Sequence, residues 1–200
     1  MMNRRALLRQ ASWLAGATLT APTLVGLLQS CAREDPLDWE PQYFTPDEAR
    51  FVTAYVDTLL PRTDTPGGLD VNVHVFIDRV MGVNSPAGDT PSPMQAGILE
   101  FDDGARTKYG KAFYELDESQ RGELFIAAEN LAPRYQPQVW GTAVGEQPPV
   151  GFYRSLKSMA QWAYLSSETI GTEVLNYDPV PGAYNGCIPL DSVGGRSWSL

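Results

Sequence analysis

Between Phe152 and Leu190 the chain passes from a helix-forming pattern into a stretch that suits neither helix nor strand, and the rest must be built around that change. Apolar residues at Phe152, Leu156, Met159, Ala163 and Ile170, with Val174 one turn on, have the spacing of one long helix with a single buried stripe. The pattern then stops. In Asn176-Tyr177-Asp178-Pro179-Val180-Pro181-Gly182, two prolines fix φ and force Asp178 and Val180 to be extended, and Gly182 can turn the chain at positive φ. The expected product is a stiff, irregular arm. Such a segment loses little entropy on docking and offers Tyr177 and Tyr184 beside unpaired backbone groups, as a recognition element does. An arm folded back over its own helices fits the same residues.

Upstream, the helices announce themselves by their ends. Thr45-Pro46-Asp47-Glu48 combines a threonine cap, proline at the first helical position and a glutamate closing a capping box. Phe51, Val52, Tyr55, Val56, Leu59 and Leu60 give that helix its buried face, and Pro61 ends it. The turn Thr63-Asp64-Thr65-Pro66-Gly67-Gly68 carries oxygens that cap amides and glycines free to take φ values closed to other residues. The alternative for the paired glycines is close approach of a partner.

Val71, Val73 and Val75 alternate as in a strand, but Phe76, Ile77, Val80 and Met81 fall at helical spacing, and a helix is expected. His74 and Asp78, one turn apart, are assigned to a partly exposed polar face. After a loop over 82–93, Met94 to Tyr109 forms a helix around Ile98, Leu99, Phe101 and Ala105. Its Asp102 and Asp103 belong to a solvated face, since adjacent helical residues diverge by about 100°. Asp117 caps a further helix with Gln120 at the capping-box position and Leu124, Phe125, Ala128 and Leu131 inward, ending at Pro133. Tyr135 to Pro149, with Trp140, is a connection punctuated by proline and glycine.

The fold class is therefore all-α: a single compact domain over 45–200, with four to five helices packed around Phe51, Tyr55, Leu59, Phe125, Leu156, Met159 and Ile170, and a proline-rich C-terminal arm. Two hundred residues with 43% apolar content suffice for one core, and nothing calls for two.

Residues 1–31 read as a leader outside that fold. Asn3-Arg4-Arg5-Ala6-Leu7-Leu8-Arg9 matches the twin-arginine export pattern, and the apolar run from Trp13 to Leu28 is too short and too diluted for a membrane span. Leu28-Gln29-Ser30-Cys31-Ala32 resembles a lipobox, which would make Cys31 an acylated N-terminus; cleavage nearby by the ordinary signal peptidase is the alternative. Residues 32–44 then form a tether, and the expected location is periplasmic and membrane-anchored.

Charge and motifs exclude more than they assign. The formal charge of −9 becomes −12 once Arg4, Arg5 and Arg9 are removed, which disfavours nucleic acid. Two cysteines and one histidine are too few for zinc or iron–sulfur ligation. No dinucleotide-binding glycine fingerprint, nucleophile elbow, Walker loop or haem-attachment motif is present. No catalytic, metal or cofactor residue is assigned, and Asp57, Asp64, Asp78, Tyr55 and His74 are the only loose candidates for a stand-alone enzyme.

Two motifs in order carry a family resemblance: Ala54-Tyr55-Val56-Asp57-Thr58-Leu59-Leu60-Pro61-Arg62-Thr63-Asp64-Thr65-Pro66-Gly67-Gly68, and Asn176 to Gly182 continued by Tyr184, Gly186, Cys187, Ile188, Pro189 and Leu190. Together they resemble the small, or third, subunit of the gluconate 2-dehydrogenase family over most of the mature chain. The resemblance implies a non-catalytic accessory subunit beside a flavoprotein dehydrogenase of the glucose-methanol-choline type. FAD would sit on that large subunit, and electrons would leave through a cytochrome c subunit where one is present. It also gives the leader a rationale, because a partner that binds flavin in the cytoplasm must cross folded. The expected docking residues are Tyr177, Asp178, Pro179, Pro181, Gly182, Tyr184, Gly186 and Cys187. Cys187 is either disulfide-bonded to the partner or a buried thiol serving as a small apolar residue. The competing function is a lipid-anchored structural or ligand-binding helical protein with no dehydrogenase partner.

Overall fold

Three of the long helices start where a side chain satisfies the otherwise unbonded first-turn amides. The computed structural model describes residues 37–84, 92–132, 138–139, 142–143, 150–180, 182 and 187–199. In α1 (Pro46–Leu59), Thr45 Oγ1 accepts from Glu48 N while Glu48 Oε2 accepts from Thr45 N at 2.8 Å. The same reciprocal box, Ser92 with Gln95, opens α3 (Pro93–Tyr109), and Asp117 with Gln120 opens α4 (Glu118–Leu131). Between them, α2 spans Val73–Asn84 and begins after Asn72, whose φ of 57° is left-handed. The last long helix, α5, covers Phe152–Leu165. Five α-helices are thus present among the described residues, with single 3-10 turns at Phe113–Glu115 and Leu190–Val193 and a pair of two-residue strands, Gln138–Val139 with Thr142–Ala143. The all-α expectation holds.

The chain divides by contacts at Asp38, and the unit Trp39–Leu200 is organised around α1, which packs against α2, α3, α4 and the first 3-10 turn. α5 packs on α2, α3 and α4. Phe51 and Tyr55 of α1 stand at the centre of an aromatic cluster completed by Phe101, Phe113, Phe125, Phe152 and Tyr153, with ring centroids 4.7–6.4 Å apart. Tilted and edge-on pairs of this kind add about 0.5–1.5 kcal/mol each beyond their area burial. Of the expected core, Phe51, Tyr55, Phe125, Leu156 and Ile170 are buried, while Leu59 and Met159 are half-buried.

Five sequence expectations are corrected. His74 and Asp78 do not form a partly exposed face, for both are buried. Asp78 accepts the backbone N–H groups of Gln42 (2.7 Å), Tyr43 (3.0 Å) and Phe44 (2.9 Å), so a carboxylate that looked solvated instead holds the chain leading into α1. The end of the segment read as tether is accordingly part of the packed unit, and Phe44 is buried. Leu99 and Leu131, expected inward, are exposed, because helical spacing does not say how much of a helix its neighbours cover. Asp102 is not on a solvated face: it accepts from Phe113 N at 2.7 Å and pairs with Arg106, fixing the 3-10 turn that buries Phe113. Finally, the expected long helix breaks at Ser166 and Ser167. Their hydroxyls donate to the carbonyls of Trp162 and Tyr164 at 2.7 Å, in competition with the helix's own amides.

Candidate interaction surface

After the serine break the chain makes a π-helical turn, Ile170–Val174, closed by Leu175 N donating to Ile170 O at 2.9 Å. Ile170 and Gly171 are buried, which seats the turn on the domain. From Tyr177 onward the described arm is exposed almost throughout: Tyr177 is 57% accessible, Val180 81%, Leu190 61% and Trp198 52%. Apolar side chains left in water on a backbone without helix or strand bonding are what a docking segment presents.

The expected docking residues fall on this arm. Tyr177, Asp178, Pro179 and Gly182 are exposed, and Asp178 Oδ1 accepts from Val180 N at 3.2 Å, which holds the bend ahead of the second proline. Cys187 is a free, exposed thiol, so the reading of it as a buried apolar residue is corrected. Pro181, Tyr184 and Gly186 lie outside the described residues, as do Arg4, Arg5 and Cys31.

The other motif turn is closed upon itself. Arg62 donates through Nε to Asp70 Oδ2 at 2.8 Å and through Nη2 to Oδ1, and Gly67 N donates to Asp70 Oδ2 at 2.7 Å. Gly67 and Gly68 are required for closeness, with neither at positive φ: a Cβ on Gly67 would lie 2.8 Å from Arg62 N, and one on Gly68 would lie 2.6 Å from Val56 Cγ1. The close approach is thus to this chain's own backbone and side chains. Tyr164 of α5 ties the turn down by donating to Pro66 O at 2.7 Å.

The Arg62 guanidinium, followed by the Gly67 amide, holds the Asp70 carboxyl below its ordinary value. A folded-state value below the unfolded one means that this contribution to stability is complete above the ordinary carboxylate value and is lost as pH falls through the folded value. In an NMR titration the Gly67 amide should therefore shift with a midpoint below pH 3.8, and Arg62→Ala should move that midpoint upward. An unmoved midpoint would refute the pairing.

The loose catalytic candidates do not converge. Tyr55 is sealed in the core, where burial raises its phenol well above the ordinary range and its hydroxyl donates to Tyr153 O at 3.1 Å. Asp57 lies 3.9 Å from Arg121, Asp64 is exposed on the turn, and both Asp78 oxygens are engaged by backbone amides. Sequence reasoning missed one concavity, a cavity of about 400 Å3 between α3, α4 and α5, lined by Gly97, Phe101, Gly104, Leu124, Leu131 and Phe152. Leu131 stands at its wall.

The family model for gluconate 2-dehydrogenase subunit 3 matches residues 46–182, from the first residue of α1 to Gly182 of the arm. The chain belongs to that family. Both motifs singled out in the sequence lie inside the match, the second as far as Gly182, and the family's name describes one subunit of a gluconate 2-dehydrogenase assembly. Neither a curated protein nor a solved structure matches the chain. In this subunit 3 family member the matched region ends within the arm, before the described segment 187–199 that folds back on it.

Proposed function

We propose that this chain is the non-catalytic small subunit of a periplasmic, membrane-associated, flavin-dependent sugar or alcohol dehydrogenase, and that it supports the export, folding or stability of a flavoprotein partner of the glucose-methanol-choline type. FAD belongs to the partner, and a cytochrome c subunit accepts electrons where one is present. The observation that carries this reading is the exposed, proline-stiffened arm on a subunit 3 family member. A segment whose φ angles are already restricted loses less entropy on binding, and its aromatic residues supply contact area.

Co-purification tests the reading. The tagged full-length chain should retain a flavin-containing dehydrogenase polypeptide, and truncation after Val174 should abolish its retention. Cys187 is placed at the contact, so a combined band on non-reducing electrophoresis that splits on reduction is expected. Recovery of the chain without any flavoprotein would favour the partnerless lipid-anchored alternative.

Export is tested separately. Replacing Arg4 and Arg5 by lysine should leave this chain, together with a partner lacking its own signal, in the cytoplasm; normal periplasmic levels of both would refute twin-arginine transport. Mass spectrometry should find acyl chains on Cys31, and Cys31→Ser should release the protein from membranes.

A further inference from the structure

The arm is closed at its base by hydrogen bonds centred on Asn176. Asn176 Nδ2 donates to Val193 O at 2.8 Å and to Arg196 O at 2.9 Å, using both amide protons on carbonyls far along the chain. Its backbone adds a bridge to the same returning segment: Asn176 N donates to Ser197 O and Ser199 N donates to Asn176 O, each at 2.8 Å. Arg196 Nη1 donates to Glu173 O at 3.0 Å. The return is made possible by the 3-10 turn Leu190–Val193 and by Gly194 and Gly195, which take consecutive left-handed conformations at φ 66° and 74°.

From this geometry we propose that Asn176 is a positioning residue for partner binding: a clasp that closes the arm before docking, with Tyr177 and Val180 on the outgoing limb and Leu190 and Trp198 on the returning one. The inference rests on the docking reading above. The chemistry selects asparagine. Serine has one donor and aspartate none, so neither bonds both carbonyls, whereas a primary amide on a one-carbon stem does. Closing a loop of about twenty residues costs entropy whether it happens before or during binding. When the clasp closes the loop in advance, that cost is absent from association, and the apolar residues meet the partner already ordered. The partner that fits is a protein surface with apolar depressions, because the described arm offers five large, exposed apolar side chains, Ile188 among them, and few charges.

The test uses the full-length tagged chain and the flavoprotein dehydrogenase subunit that the wild type retains. Asn176→Ala should raise hydrogen exchange at the Asn176 and Ser199 amides, leave exchange in α1 unchanged, and weaken retention of the flavoprotein about tenfold. Asn176→Asp should do the same, because it keeps the shape and removes the donors. Val174 truncation provides the contrast. If truncation abolishes retention while Asn176→Ala opens the clasp and retention is unchanged, the clasp inference is wrong and the docking reading stands. If neither change affects retention, or if the wild type retains no flavoprotein, the docking reading fails and the clasp loses its function. Weakened retention with exchange at Ser199 unchanged would also overturn the clasp, since Asn176 would then act by direct contact.

Discussion

Asp78→Ala is expected to lower the unfolding free energy by about 4 kcal/mol, because three amides bonded to one buried carboxylate lose their acceptor together. For a chain of this size that corresponds to a fall in Tm of roughly 8–16 °C. Asp78→Asn should be milder, since one carbonyl oxygen remains to accept. Thermal unfolding of the full chain followed by circular dichroism measures both. A loss under about 1 kcal/mol for the alanine variant would mean that water replaces the carboxylate at little cost.

Gly97→Ala is expected to destabilise by about 2–3 kcal/mol, against the ordinary rule that alanine stabilises a helix interior relative to glycine by about 1 kcal/mol. A Cβ at this position would lie 2.3–2.5 Å from Cγ, Cδ2 and Cβ of Phe152, far inside contact distance. The Phe152 ring is in turn flanked by Phe51 and Phe101, each with its centroid 6.1 Å away, so it cannot retreat without disturbing the aromatic cluster. A double-mutant cycle isolates the cause: Phe152→Ala removes the clash, and the Gly97→Ala, Phe152→Ala double variant should be no less stable than Phe152→Ala alone. A stabilised Gly97→Ala single variant would overturn the packing argument.

The sequence was most legible where a local signal decides local structure. The Thr45–Glu48 and Asp117–Gln120 boxes fixed two helix starts, and Pro61 lies just beyond the end of α1. Where burial depends on residues far along the chain, local pattern was silent. Asp78 sits on a helix beside His74 in an arrangement that looks like a polar face, and only the return of Gln42–Phe44 makes it an internal anchor. Phe113 is buried from a three-residue turn too short to have a period. The serine break after α5 was hidden for the opposite reason: Ile170 and Val174 continue the apolar spacing beyond the point where the backbone has stopped being α-helical. The character of the arm was legible from its prolines, but the asparagine that closes it bonds to residues 193–199, outside either motif.

Tension applied to the chain from its N-terminal side has a defined path through the domain. Chain order places Gln42, Tyr43 and Phe44 before the Thr45 cap, and all three are fastened to Asp78 on α2. A pull from upstream therefore meets those three bonds to α2 before it reaches the first turn of α1. Such a load is diverted from the helix at the centre of the aromatic core, and Asp78 acts for this domain as a strain relief.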